Sequence, residues 1–241
     1  MKTRVFKGIE FQVLEPTESW SQAMPRFSQV FPLDENGELN DHAIFPKNQL
    51  PRIFRDPNWQ VVALVDDPVS SQDEETLQGK PDWYRDLYGR DHLAPLLGIL
   101  QERQTPYIYL AHTDRSDLLE TLLVSPQQKA MDAAWLSDHL LSMLCSFAVD
   151  DRADWGLVID ENVMFLGGEP ALMERFIAEA GGMDELTRLF SLYIEGRVVP
   201  GEPGYLTASA RFYRRAYTYC GWDWPFPEPP TALERAGQAE T

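Results

Sequence analysis

Two short runs set acid–base groups directly after apolar strands. ALVDDP, residues 63–68, carries Asp66 and Asp67, and YLAHTD, residues 109–114, carries His112 and Asp114. A carboxylate beside an imidazole can accept and return a proton near neutral pH, or offer mixed oxygen and nitrogen ligands to a metal. If the two strands lay parallel in one sheet, these residues would share its carboxyl edge, where α/β enzymes bind ligands. Plainer roles compete: the Asp pair lacks the separation usual in metal motifs, and Asp114 also fits a turn or a helix cap. A hydrolase built on Asp66, Asp67, His112 and Asp114 is therefore the enzymatic alternative and not the leading reading. The chain has no G-x-S-x-G, H-E-x-x-H, EF-hand or S-x-x-K pattern to strengthen it. Asp41-His42 and Asp91-His92 read as surface pairs, and His139 as a boundary residue of a core helix; no metal site and no cofactor are expected.

The stretch DWGLVIDENVMFLGGEP, residues 154–170, has a double glycine that invites a phosphate-loop reading. A phosphate cradle needs glycines spaced so that several amides converge on one anion, backed by a Lys or a helix N-terminus. Here G-x-G-x-x-G and G-K-[ST] are both missing, and Glu169 puts a negative charge at the mouth. Alternation of Trp155, Leu157 and Ile159 predicts a strand, Asp160-Glu161-Asn162 a turn, and Val163 to Leu166 the returning strand. Gly167 and Gly168 end it, and Pro170 opens a helix over ALMERFIAEA with Gly181 as its cap.

A broader signal comes from charge. The 241 residues hold 21 Lys and Arg against 38 Asp and Glu, a net charge of −17. Such a field repels nucleic acid and anionic lipid and accelerates encounter with a basic partner. The acids cluster: Asp66, Asp67, Asp73, Glu74 and Glu75 form one segment, and Asp150, Asp151, Asp154, Asp160 and Glu161 another, offset locally by Arg152 alone. Trp83 and Tyr84 follow the first, and Trp155 stands inside the second. Acids for steering beside aromatics for anchoring form the mixture found at tight protein interfaces.

The elements that must present these groups are legible from periodicity. Residues 4–14 read as a strand or strand pair, a Pro-punctuated stretch runs to about residue 58, and 59–67 is a buried strand. Residues 82–104 are helical with a break near Ala94, where Pro95 interrupts the pattern. A strand over 105–114 is followed by a short helix over 117–124, capped by Ser116. Ser125-Pro126 opens a long core helix in which Leu136, Leu140, Met143, Leu144 and Phe147 recur up to about Val149. Two more helices cover MDELTRLFSLYIE and GYLTASARFYRRAYTYCGW, the second with Arg211, Arg214 and Arg215 on one side as an internal counterweight to the acids. Cys145 and Cys220 lack partners at metal-ligand spacing and are expected to be reduced and buried. The fold class is α+β: a single domain over residues 1–226, with a mixed or antiparallel sheet packed against several amphipathic helices. Residues 227–241 form a Pro-rich, then polar tail expected to be disordered. The opening MKTRVFKGIEFQVLE holds no continuous apolar stretch for a secretory signal, and the longest apolar runs are too short to span a bilayer.

The run DDRADWGLVIDENVMFLGGEPALMERFIAEAGG, residues 150–182, resembles immunity proteins of bacterial polymorphic toxin, contact-dependent and type VI secretion systems. Small acidic α+β members of those groups carry a W-G-hydrophobic strand, an acidic turn, a returning strand ending in G-G, and a helix opening near E-P. The resemblance implies a cytoplasmic protein that binds a cognate toxin with a basic surface and blocks it, without binding nucleic acid or membrane. The acidic residues named above, with Trp83 and Tyr84, are then the expected partner surface. Beside the hydrolase, a second alternative is an acidic mimic of nucleic acid.

Overall fold

The computed structural model describes residues 2–45, 50–65, 74–114, 117–139, 145–160, 163–197 and 212–226. Its strands are β1 (Lys2–Phe6), β2 (Ile9–Leu14), β3 (Gln60–Leu64), β4 (Ile108–Asp114), β5 (Asp117–Val124), β6 (Ser146–Val149), β7 (Trp155–Asp160) and β8 (Val163–Gly168). The helices are α1 (Pro16–Glu18), α2 (Met24–Val30), α3 (Asp41–Ile44), α4 (Glu74–Leu77), α5 (Asp82–Tyr88), α6 (Ala94–Glu102), α7 (Gln128–His139), α8 (Pro170–Glu179) and α9 (Met183–Arg197). A π-helical turn, Ser19–Ala23, joins α1 to α2, and residues 212–219 form a further helical segment.

The strands make one sheet in the order β1-β2-β5-β4-β6-β7-β8-β3, with every neighbouring pair antiparallel. The register explains why it holds together. Val62, Leu166, Leu157, Ala148, Leu110, Leu122 and Val13 stand opposite one another in a row across seven strands. All seven are buried on one face, under α6, α7 and α8. The next row, Ala63, Phe165, Val158, Phe147, Ala111, Thr121 and Leu14, belongs to the opposite face by the period-two rule. Its apolar members pack with α2, α9 and the 212–219 segment. The result is one α+β domain with three layers and a sheet covered on both sides, hence strands that read as nearly continuous apolar runs.

At the β1–β2 turn, Lys7 and Gly8 both take positive φ, 48° and 76°, the conformation a tight two-residue hairpin requires. The hairpin of β7 and β8 follows the expected alternation, with α8 opening at Pro170. Its glycines serve packing. Gly156 and Gly167 face each other across the hairpin. A Cβ on Gly167 would lie 2.4 Å from the Phe54 ring, and one on Gly156 would lie 2.5 Å from Val30. The pair leaves a recess into which Phe54, Phe31 and Val30 settle.

Two local expectations are corrected. Residues 117–124 form β5, not a helix. The segment is bonded on one side to β2 and on the other to β4, and a helix there would leave both strands without their neighbour. The helix that follows Pro126 ends at His139 among the described residues; Leu140, Met143 and Leu144 lie outside them. Phe147 and Val149 belong to β6, where they face the side opposite Ala148, a period of two and not of 3.6. The break at Pro95 falls where expected, since Pro95 sits in the first turn of α6 after α5 has ended. Residues 227–241 and Arg211 lie outside the described residues.

The glycine recess yields a paired prediction. Gly167→Ala should destabilise the fold by about 1–3 kcal/mol through overpacking. Gly98→Ala, in α6 where an added Cβ meets nothing within 4 Å, should stabilise it by about 0.5–1 kcal/mol. Chemical denaturation of both variants checks the sign as well as the size.

Candidate functional site

The acids of the segment after β6 are engaged by the fold, although only Asp150 is buried and Asp151 stays exposed. Asp150 is fully buried and organises the β6–β7 turn. Its carboxylate accepts the backbone N–H groups of Arg152 at 3.0 Å and Ala153 at 3.2 Å, and the Thr105 hydroxyl at 3.3 Å. Ala153 adopts φ +53°, held there by the turn. Asp151 accepts from Arg26 at 2.6 Å and from the Tyr109 hydroxyl at 2.9 Å, and the Arg26 guanidinium lies 4.6 Å from the Tyr109 ring centre. Burial and the Asp151 carboxylate together push the Tyr109 phenol above its ordinary range. Asp154 pairs with Arg103 at 2.9 Å. These acids are therefore counterions of the fold itself. Arg26 is 125 residues from Asp151 in sequence and Arg103 is 51 from Asp154, so local reading could not pair them. Trp155, expected beside them as an anchor, is fully buried under the helices of one face. The side chain of Asp160 and all of Glu161 lie outside the described residues.

The first acidic segment leaves a different surface. Asp66, Asp67 and Asp73, and the side chain of Glu74, are outside the described residues; Glu75 is exposed. Beyond it, α5 holds Trp83 at 38% exposure. Trp83 meets Tyr84 edge-on at 5.7 Å, and Tyr84 lies 4.5 Å from Tyr88. The Lys80 ammonium lies 5.2 Å from the Tyr84 ring centre. A ladder of ion pairs fixes this helix on α9: Asp86 to Arg188 at 2.9 Å, Arg188 to Glu185 at 2.7 Å, and Glu185 to Arg90 at 3.0 Å. The Arg188 hydrogen bond, followed by the charges of Arg188 and Arg90, holds the Glu185 carboxyl below its ordinary range. The outcome is a helix tied to α9 that carries an exposed indole, with the exposed carboxylate of Asp82 next to it in sequence and that of Glu75 on α4. Such a surface can take a basic, partly apolar protein face.

The enzymatic set is carried by two separate strands; Asp66 and Asp67, and the side chains of His112 and Asp114, lie outside the described residues. Leu64, Met164, Ile159, Ser146 and His112 form one row across the sheet. The strands of Leu64 and His112 run in the same direction but are four steps apart, about 19 Å at the usual strand spacing. Asp66 and Asp67 follow β3, whereas His112 lies in β4 at an irregularity in its pairing with β5, and Asp114 ends β4 opposite Asp117. His92, expected at the surface, is half-buried, and its Nε2–H donates to the Leu87 carbonyl at 2.7 Å. Burial is the main cause that lowers its pKa. Sequence reasoning also missed Trp20, 43% exposed on the π-helical turn.

Asp150→Ala should cost about 1–3 kcal/mol, because the buried Thr105 hydroxyl and the turn N–H groups of Arg152 and Ala153 lose their acceptor, while Glu75→Gln should stay within about 0.5 kcal/mol of the parent. For His92 the sign is fixed by its lowered folded pKa: its neutral form is accommodated fully above its ordinary 6.5, and stability falls as pH drops below that value because the unfolded chain then binds more protons. Urea unfolding at pH 7.5 and 5.5 should show a smaller acid loss in His92→Gln than in the parent. Compared with protein-family models, with curated proteins and with solved structures, the chain matches none.

Proposed function

We propose that this protein is an immunity-type inhibitor, which binds a basic bacterial toxin in the cytosol and blocks it by direct contact. The observation that supports it most is the exposed Trp83 on a helix clamped to α9, with the carboxylates of Glu75 and Asp82 unburied nearby. An exposed indole supplies contact area for a partner, and the net charge of −17 supplies long-range attraction for a basic one. The sequence resemblance of residues 150–182 points the same way. No helix among the described residues is long and apolar enough to cross a membrane. The hydrolase alternative is less well supported, since Asp66 and Asp67 follow β3 while His112 and Asp114 lie in β4, four positions away in the sheet.

Co-expression tests the reading. The product of the gene beside its own should be toxic in the cytosol and tolerated when this chain is present; a harmless neighbour, or toxicity that this chain leaves unchanged, contradicts it. The combined variant Glu75→Gln, Asp82→Asn and Trp83→Ala should lose protection while its melting temperature stays within about 3 °C of the parent. Association should also slow steeply with added salt while dissociation changes little.

A further inference from the structure

We propose that the outer edge of β1 is a strand-addition site for an extended acidic segment of a partner protein. This inference is independent of the toxin reading. The two edges of the sheet are finished differently. On β3 the Ala63 backbone N–H reaches the thiol of the half-buried Cys220, so the chain at Cys220 meets that edge, and desolvation pushes the thiol well above its ordinary range. Nearby, the Tyr219 hydroxyl accepts the Phe54 N–H at 3.1 Å. Among the described residues nothing comparable covers β1: Lys2, Thr3 and Val5 are exposed, Val5 at 64%.

The chemistry of β1 selects the occupant. In a chain with 38 acids and 21 bases, residues 2–7 read KTRVFK, three bases and no acid. Alternation sets Lys2 and Arg4 on one face of the strand and Thr3 and Val5 on the other. Arg4 already takes one carboxylate, that of Glu120 at 2.7 Å. An incoming strand alternating acidic with β-branched residues would place carboxylates beside Lys2 and Arg4 and an apolar side chain beside Val5. Its backbone would use the hydrogen-bonding groups along the free edge of β1. A second copy of this chain is a poorer fit. Antiparallel self-pairing centred on Arg4 sets Arg4 against Arg4, and any close register gathers three bases from each copy into one two-stranded ribbon. Bases on an edge strand oppose that kind of pairing.

The probe is a short synthetic peptide alternating Glu and Val, with a Lys and Val peptide as its counterpart. Each is added at millimolar concentration to the isotopically labelled full chain, and solvent exchange of the β1 amides is followed by NMR. The Glu–Val peptide should slow exchange in β1 by about tenfold, the Lys–Val peptide should not, and the double variant Lys2→Glu, Lys7→Glu should abolish the effect with its other amide signals in place. Unchanged β1 exchange with the Glu–Val peptide overturns the proposal, as does equal protection by both peptides. It is also overturned if β1 is protected without peptide and sedimentation shows a concentration-dependent dimer, which would assign the edge to a second copy.

Discussion

Gly156 and Gly167 stand opposite each other on β7 and β8, and Phe54, Phe31 and Val30 fill the space that their missing side chains leave. That contact fixes how closely the α2 layer can approach the sheet. Phe31 then meets Phe147 edge-on at 5.0 Å and Phe54 at 5.7 Å, so three distant stretches of chain lock at one place. Phe27, α9 and the 212–219 segment extend the same layer. With α6, α7 and α8 closing the other face, the central strands have no wet side, and charged groups lie mainly in turns, on outer helix faces and at the β1 end of the sheet, where Arg4 meets Glu120.

This confinement sorts the acids into two kinds. Those between Asp150 and Asp154 lie where β6 turns into β7 and are used to build the turn and to hold Arg26 and Arg103. Those near α5 lie on an outer helix, beyond the core, and leave an indole and carboxylates facing outward. The net charge of the chain is a poor guide to which is which. Partners brought in by the fold decide whether a carboxylate is available to a ligand.

Sequence periodicity carried the class of fold, the β7–β8 hairpin, α8 and the break at Pro95, because each depends on a local pattern. It failed at residues 117–124, DLLETLLV, where a short Leu-rich stretch suits helix and strand alike and only the neighbours β2 and β4 choose. It failed again at Phe147, whose spacing of three and seven residues from Leu144 and Leu140 imitates a helical repeat and carried the expected helix on to Val149. At the candidate site, the closeness of Trp83 and Tyr84 to acids was legible. The pairings of Arg26 with Asp151 and Tyr109 were not, since nothing local links residues so far apart. The same gap made Trp155 look like a surface anchor when it is core.

The claim that the acids of the β6–β7 turn are the fold's own counterions is tested most directly by a double-mutant cycle on Arg103 and Asp154, whose side chains are 23% and 16% exposed. Urea unfolding of Arg103→Met, Asp154→Asn and the double variant gives their coupling energy. The account predicts a favourable coupling of about 1 kcal/mol or more, above that of most exposed pairs. A coupling indistinguishable from zero would contradict it, returning these acids to the solvent-facing surface.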